Sequence, residues 1–270
     1  MSAVSLIDTH CHLDESSFEN DLAEVVRAAE EAGVVSMLSI GTTRESSERA
    51  IKLAERFTSV FAAVGIQPNY AAEAKAGDWE QIVDMAAHPR VLAVGETGLD
   101  KYWDYAPLDL QAEYFDRHIE LSRAIQKPFI VHNREADSET VAQLQRQAEI
   151  GPLRGVMHSF CADQATADSC VELGMYLSFA GMLTFKRNDE LRAIAKTIPL
   201  DQLLIETDAP YLSPHPMRGK RNEPARVVLT AQCLADVHEL PLEELARITT
   251  ENARRLFGFP FENQSGEMQA

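Results

Sequence analysis

The sequence predicts an α/β protein, a single (β/α)8 TIM barrel with a C-terminal helix. Three observations predict it. Eight short apolar runs recur along the chain, helical segments separate most of them, and histidines or carboxylates stand at the ends of five runs. A length of 270 residues, 45% of them hydrophobic, suffices for one large buried core.

The predicted strands are Val4–Asp8, Val34–Gly41, Val60–Ile66, Val91–Gly95, Pro128–His132, Arg154–His158, Tyr176–Phe179 and Leu203–Glu206. Valine, isoleucine, leucine and phenylalanine dominate them, as where a strand is buried on both faces. Among the helices, Asn20–Glu31 sets Leu22, Val25, Val26 and Ala29 on one side and stops before Gly33. Glu45–Phe57 repeats Ala50, Ile51, Ala54 and Phe57 against charged positions, and Asp109–Ile125 carries the strongest helical pattern. Ala136–Ala148, Asp163–Leu173, Arg187–Ala195 and Ala225–Val237 continue the alternation. Leu242–Phe257, starting just after Pro241, is the C-terminal helix. Gly65–Gly77, Gly98–Pro107 and Ala209–Pro224 read as long loops after strands three, four and eight. The barrel domain occupies residues 1–258; residues 259–270 lack periodicity and read as a flexible tail. No GxGxxG follows the first strand, so dinucleotide binding has no support.

Net charge is −17, from 42 acidic residues against 25 lysines and arginines. At long range such a surface repels nucleic acid, so a polyanionic substrate needs local cations or bound metals. The first residues show neither a basic n-region nor a sustained apolar stretch, and no run suits a membrane span. Cys11, Cys161, Cys170 and Cys233 are scattered without a CxxC. A reducing, cytoplasmic setting is therefore expected.

The first strand runs into Asp8-Thr9-His10-Cys11-His12. In extended backbone His10 and His12 share a face while Cys11 points away, so the imidazoles can hold one divalent ion; a hydrogen-bonded polar pair is the alternative. Glu96 ends the fourth strand, where a buried carboxylate must be paired or metal-bound, and its two oxygens could bridge ions. Asp100, further out, could orient loop residues or a histidine N–H. His132 and His158 end strands five and six, and Glu206 and Asp208 stand at the end of the eighth. Such a set at separate strand ends favours a metal centre over packing. His88, His118, His215 and His238 fall in turns, helices or loops and are not assigned to it.

Taken together, IDTHCHLD, VGETGLD, FIVHNREA, HSF, SFAGMLTFK, LLIETDAPYL and RGKRNEPA resemble the TatD family of metal-dependent deoxyribonucleases, within the amidohydrolase-like barrels. The resemblance implies that His10, His12, Glu96 and Asp208 surround one metal, and Glu96, His132 and His158 a second. It also implies phosphodiester hydrolysis, including 3′-to-5′ exonuclease activity on single-stranded or end-exposed DNA. Gly65-Ile66-Gln67-Pro68 departs from the GxHP common among relatives, and Cys161 stands where glycine is common. These changes bear on substrate preference, since the metal residues are intact.

A pair of divalent ions about 3.5–4 Å apart can activate water for attack on phosphorus and neutralise the transition state; Mg, Mn or Zn would suit. Asp208 and Glu96 are the candidate catalytic residues, Asp208 accepting the proton, with Glu206 and Asp100 supporting the ligands. Arg134, Gln67, Asn69, Tyr102, Arg218, Lys220 and Arg221 are candidate substrate contacts; Lys101 could also meet phosphate, and Tyr70, Trp103 and Tyr211 could stack on bases. A small-molecule amidohydrolase or phosphoesterase is the alternative, although no lysine ends a core strand where a carbamylated bridge would sit. A non-catalytic metal scaffold is the minor alternative. DNA is the expected partner and no membrane is; monomer and weak homo-oligomer both stay open.

Overall fold

The computed structural model describes residues 4–260. Eight parallel strands follow one another in sequence order: β1 Leu6–Cys11, β2 Val34–Ile40, β3 Val60–Val64, β4 Val91–Asp100, β5 Phe129–Arg134, β6 Gly155–Met157, β7 Tyr176–Phe179 and β8 Leu203–Ile205. The ring closes just beyond β8, where Asp208 N–H donates to His10 O (2.9 Å) and His12 N–H to Ala209 O (2.7 Å). Closure thus falls on residues of the candidate site itself. The helices are α1 Leu22–Glu31, α2 Arg44–Arg56, α3 Asp78–Ala86, α4 Leu108–Ile125, α5 Asp137–Ile150, α6 Gln164–Glu172, α7 Asp189–Thr197, α8 Val227–His238 and α9 Leu242–Phe257. Among the described residues no helix is long and apolar enough to cross a membrane.

Alternate residues of the strands divide between two cores. Ile7, Leu38, Phe61, Ala63, Ala93, Ile130, Val156 and Leu204 form one, together with Leu256, Phe257 and Phe259 from the chain's end. Their neighbours, such as Val60, Ala62, Val64, Val131 and Leu203, pack against the helices. This two-sided burial is why the strands read as continuous apolar runs. It also gives α9 its place: the segment after it meets β3, Phe259 lying edge-on to Phe61 at 5.3 Å. Phe259 is buried, so packing begins inside the expected tail; residues 261–270 lie outside the described residues.

Several boundaries differ from the sequence reading. β1 runs through Cys11 and β4 through Asp100, each bringing polar residues into the sheet. A helix, α3, follows the expected Gly65–Gly77 loop, in a stretch to which the sequence reading assigned no element. It is fixed by Ile82 and Ala86 packing on the core. The preceding Pro68–Glu73 segment is a 3-10 turn.

His118 shows how a helix is keyed to the mouth of the barrel. On α4 its Nε2 accepts from Ile66 N–H (3.0 Å), which leaves Nδ1–H to donate to Tyr114 O (2.6 Å). Both nitrogens are satisfied only in the neutral ring, and burial pushes its pKa down to about 4. The unfolded ring takes up a proton near its usual pKa, so this stabilisation is complete above about pH 6.5 and is lost as pH falls toward 4. Urea unfolding should show wild type losing about 2 kcal/mol from this group between pH 7.5 and pH 5. His118→Phe, lower by about 1–3 kcal/mol at pH 7.5, should lack that part of the loss. An unchanged pH dependence in the variant would contradict the neutral assignment.

Candidate metal centre

The site lies at the carboxyl ends of the strands, where barrel enzymes place their chemistry. Regular alternation alone does not build it. The register shifts between Asp8 and Cys11 in β1 and between Val94 and Thr97 in β4, so the ligand-bearing residues sit on irregular backbone that re-aims side chains. Gly95 permits the second irregularity. Its φ is +123°, and a Cβ there would lie 2.8 Å from Ile130 O.

Glu96 is the centre of the arrangement. Its Oε2 faces His10 Nε2 (3.6 Å) and His12 Nε2 (3.9 Å), while Oε1 faces His132 Nδ1 (2.8 Å) and His158 Nε2 (3.3 Å). Asp208 Oδ1 completes the first group, 3.3 Å from His12 Nε2 and 3.7 Å from His10 Nε2. The donor atoms of His10, His12 and Asp208 lie within 4.8 Å of one another, as do those of Glu96, His132 and His158.

Hydrogen bonding on the far side of each ring tests whether these groups suit a metal. His12 Nδ1 faces Ile40 O (3.3 Å), His132 Nε2 faces Asp100 Oδ2 (2.9 Å) and His158 Nδ1 faces Glu206 Oε1 (3.3 Å). Each partner accepts only, so the proton is assigned to the far nitrogen and the near lone pair is left for the centre. His10 Nε2 and His12 Nε2 stand 3.2 Å apart, and His10 Nδ1 is buried without a hydrogen-bond partner. Crowded imidazole lone pairs with two carboxylates fit a divalent cation better than they fit one another. A further grouping of His10, His158 and Glu206 is geometrically possible. We read Glu206 as an orienting group, because it accepts from both His158 Nδ1 and Ser159 N–H (2.7 Å).

The carboxylates agree with this geometry, while the imidazoles carry protons that a metal must displace. Burial opposes protonation of His12, His132 and His158, but the facing carboxylates outweigh it and raise all three, His12 to about 9. Burial would raise the Glu96 carboxyl, but His158, His10 and His132 outweigh it and hold it well below its usual range. Burial likewise opposes ionisation of Asp208, and His12 and His10 hold it low. Both carboxylates are anionic at neutral pH, as ligands must be. For His10 burial wins, helped by His158, and its pKa falls.

Support reaches further than the sequence reading recognised. Asp100 is not in a loop but ends β4, fully buried, where it also accepts from Asn69 Nδ2 (3.0 Å), Tyr102 N–H (2.9 Å) and Trp103 N–H (3.1 Å). Gln111 of α4 clamps its backbone from both sides. Asp8, which the sequence does not mark as a site residue, joins β1 to the end of β8 by accepting from Thr207 N–H (2.9 Å) and Thr207 Oγ1 (2.6 Å). Burial raises its pKa to about 8 despite those bonds. The signal was an acid inside an apolar strand two residues before His10. Glu206 and Asp208 do not share a face through strand alternation, since β8 ends at Ile205 and Asp208 has φ +55°.

A cleft of about 1060 Å³ opens above the donors, lined by Gln67, Asn69, Trp103, Arg134 and Tyr211 among others. Other predicted substrate contacts lie outside this lining. Arg221 is held by Asp21 (2.6 Å) and Ser17 O (2.5 Å), and Arg218 stacks on Phe185 at 3.8 Å. Lys220 does not line it, and Lys101 pairs with Glu139. Tyr102 supports Arg134, whose guanidinium lies 3.9 Å from its ring centroid. The basic residues of the β8 loop therefore brace that loop or face away, which charge counting along the sequence could not reveal.

Fold and donor set together define a metal-dependent barrel hydrolase. More narrowly, the chain belongs to the TatD-related DNase family, whose model matches residues 7–258. It is 40% identical over 252 residues to the uncharacterized metal-dependent hydrolase YabD of Bacillus subtilis, covering 93% of this chain and 98% of that one. It is 32% identical over 261 residues to the 3′-5′ ssDNA/RNA exonuclease TatD of Shigella flexneri, covering 95% and 100%. The crystal structure of YjjV, a TatD homolog from Escherichia coli K12, superposes with a TM-score of 0.89 at 29% identity, covering 96% and 100%.

Asp100→Asn should weaken divalent-metal affinity on the His132 side by roughly 10–100-fold, read by competition with a chelating dye. Unchanged affinity would show that Asp100 serves the loop alone.

Proposed function

We propose that this chain is a phosphodiester hydrolase, a DNase with 3′-to-5′ exonuclease activity on single-stranded or end-exposed DNA. The observation that carries this reading is the division of Glu96, one oxygen toward His10 and His12 and the other toward His132 and His158. Two divalent ions sharing that carboxylate would sit at the floor of an open cleft. Family membership and the named exonuclease activity of the Shigella relative support the choice of bond. The mixed imidazole and carboxylate donors accommodate Mg, Mn or Zn. A cytoplasmic setting fits the four free cysteines.

Ions held there would polarise phosphoryl oxygens and generate a nucleophile from water at neutral pH. The chain's own residues do the rest. Asp208, with a side chain 13% exposed, is the anionic group positioned between His12 and the cleft to accept the water's proton at a carboxylate oxygen. Glu96 keeps the two halves in fixed relation. Arg134 has no carboxylate partner among the described residues, so its planar fork is available for a phosphate; its stacking on Tyr102 fixes its direction. Gln67 accepts from Asn69 N–H (2.8 Å) and leaves its amide NH2 available to substrate.

End-labelled single-stranded DNA incubated with Mn²⁺-loaded protein should give a ladder shortened from the 3′ end. Asp208→Asn should lower kcat by about 10²–10⁴-fold, the range for losing a positioned base. Absence of any product with Mg²⁺, Mn²⁺ or Zn²⁺ would contradict the nuclease reading, and full activity of the variant would remove Asp208 from its role.

A further inference from the structure

Arg134 is the sole lysine or arginine among the residues lining the cleft. Glu15, Glu73, Glu135 and Asp137 also line it, in a chain of net charge −17. A groove that tracks a polynucleotide needs a row of cations, because each phosphate neutralised adds to affinity. No such row exists along this lining, and the nearby Arg221 is occupied by Asp21.

Aromatic rings stand where cations are missing. Trp103 and Tyr105, from the loop after β4, stack on each other with centroids 5.4 Å apart and planes within 12°. They remain 41% and 59% exposed, which leaves ring surface open to a further stacked ring. Across the barrel, Tyr211 follows β8 and meets His12 edge-on at 5.9 Å. Its hydroxyl donates to Glu15 (3.2 Å), which fixes the ring, and Tyr70 lines the same cleft. Since β4 and β8 lie four strands apart in an eight-stranded ring, the two aromatic walls flank the metal centre.

We infer that the cleft is an end pocket for one or two nucleotides of a short or frayed strand, not a binding groove for a long polynucleotide. The inference rests on the phosphodiester reading and deepens it. The scissile phosphate meets the centre and Arg134, the terminal base extends the Trp103–Tyr105 stack, and the acidic rim gives no hold to the remaining chain. Substrate discrimination then comes from base stacking at the end, with length contributing little.

The test compares (dT)4 and (dT)20 with the Mn²⁺-loaded full chain over a range of KCl concentrations. kcat/KM should agree within about threefold for the two lengths. Its log–log dependence on salt should have a slope of about −0.7 to −1.4, the value for one or two phosphates of a single strand. Trp103→Ala should raise KM roughly 5- to 100-fold for both lengths with kcat little changed, the contribution of one stacked base. A preference above tenfold for (dT)20, a slope of about −3 or steeper, or an unchanged KM in the variant would overturn the end pocket while leaving the phosphodiesterase intact. Hydrolysis of neither oligomer would instead overturn the reading beneath it.

Discussion

Glu96 puts an anion where the interior of the barrel meets its mouth, almost without solvent, and an anion there must be matched by neighbouring groups. Four histidines drawn from β1, β5 and β6 or their ends supply the match, two facing each carboxylate oxygen. The remaining architecture follows from holding those rings. The far nitrogens of His12, His132 and His158 are tied to Ile40 O of β2, Asp100 of β4 and Glu206 just past β8. Metal selectivity and reactivity in such sites depend on these outer partners nearly as much as on the ligands.

Backbone continuity reinforces the same point. The ring closes through His10 and His12 bonding to Asp208 and Ala209, so the strand seam and the first ligand group share atoms of the same residues. Asp8 and Thr207 bind the seam one turn of the pleat below. Irregular register at β1 and β4 then turns ligand side chains toward the centre where strict alternation would not. Stability and function are therefore coupled at this edge: loosening the seam moves ligands as well as strands.

Strand order and the ligand positions were legible because burial on both faces leaves uninterrupted apolar runs, and each polar residue that ends one stands out. His10, His12, Glu96, His132, His158 and Asp208 were found that way, and the structure brings their side chains together. Short α3 carries helical spacing at Trp79, Ile82, Val83 and Ala86, a signal no weaker than that of the equally short α6, so it was legible and the sequence reading passed over it. Asp100 reads as a loop residue because the glycines at 95 and 98 look like a strand's end, whereas they let β4 continue alongside β5 to the Asp100–Arg134 pair. Arg218, Lys220 and Arg221 could not be placed from composition. A basic loop reads the same whether its guanidiniums face substrate or, as for Arg221, an acid on the neighbouring segment.

A chain of net charge −17 for which we propose an anionic substrate must concentrate its attraction, and here that means the centre beneath the cleft together with Arg134. In the proposed centre one carboxylate, Glu96, links two metal positions. Electron paramagnetic resonance during Mn²⁺ titration tests it most directly. Wild type should pass, at two equivalents, from an isolated-ion spectrum to the multiline signal of an exchange-coupled pair, and Glu96→Gln should not. A wild-type protein that shows only isolated-ion signals at saturation would contradict the shared-carboxylate centre.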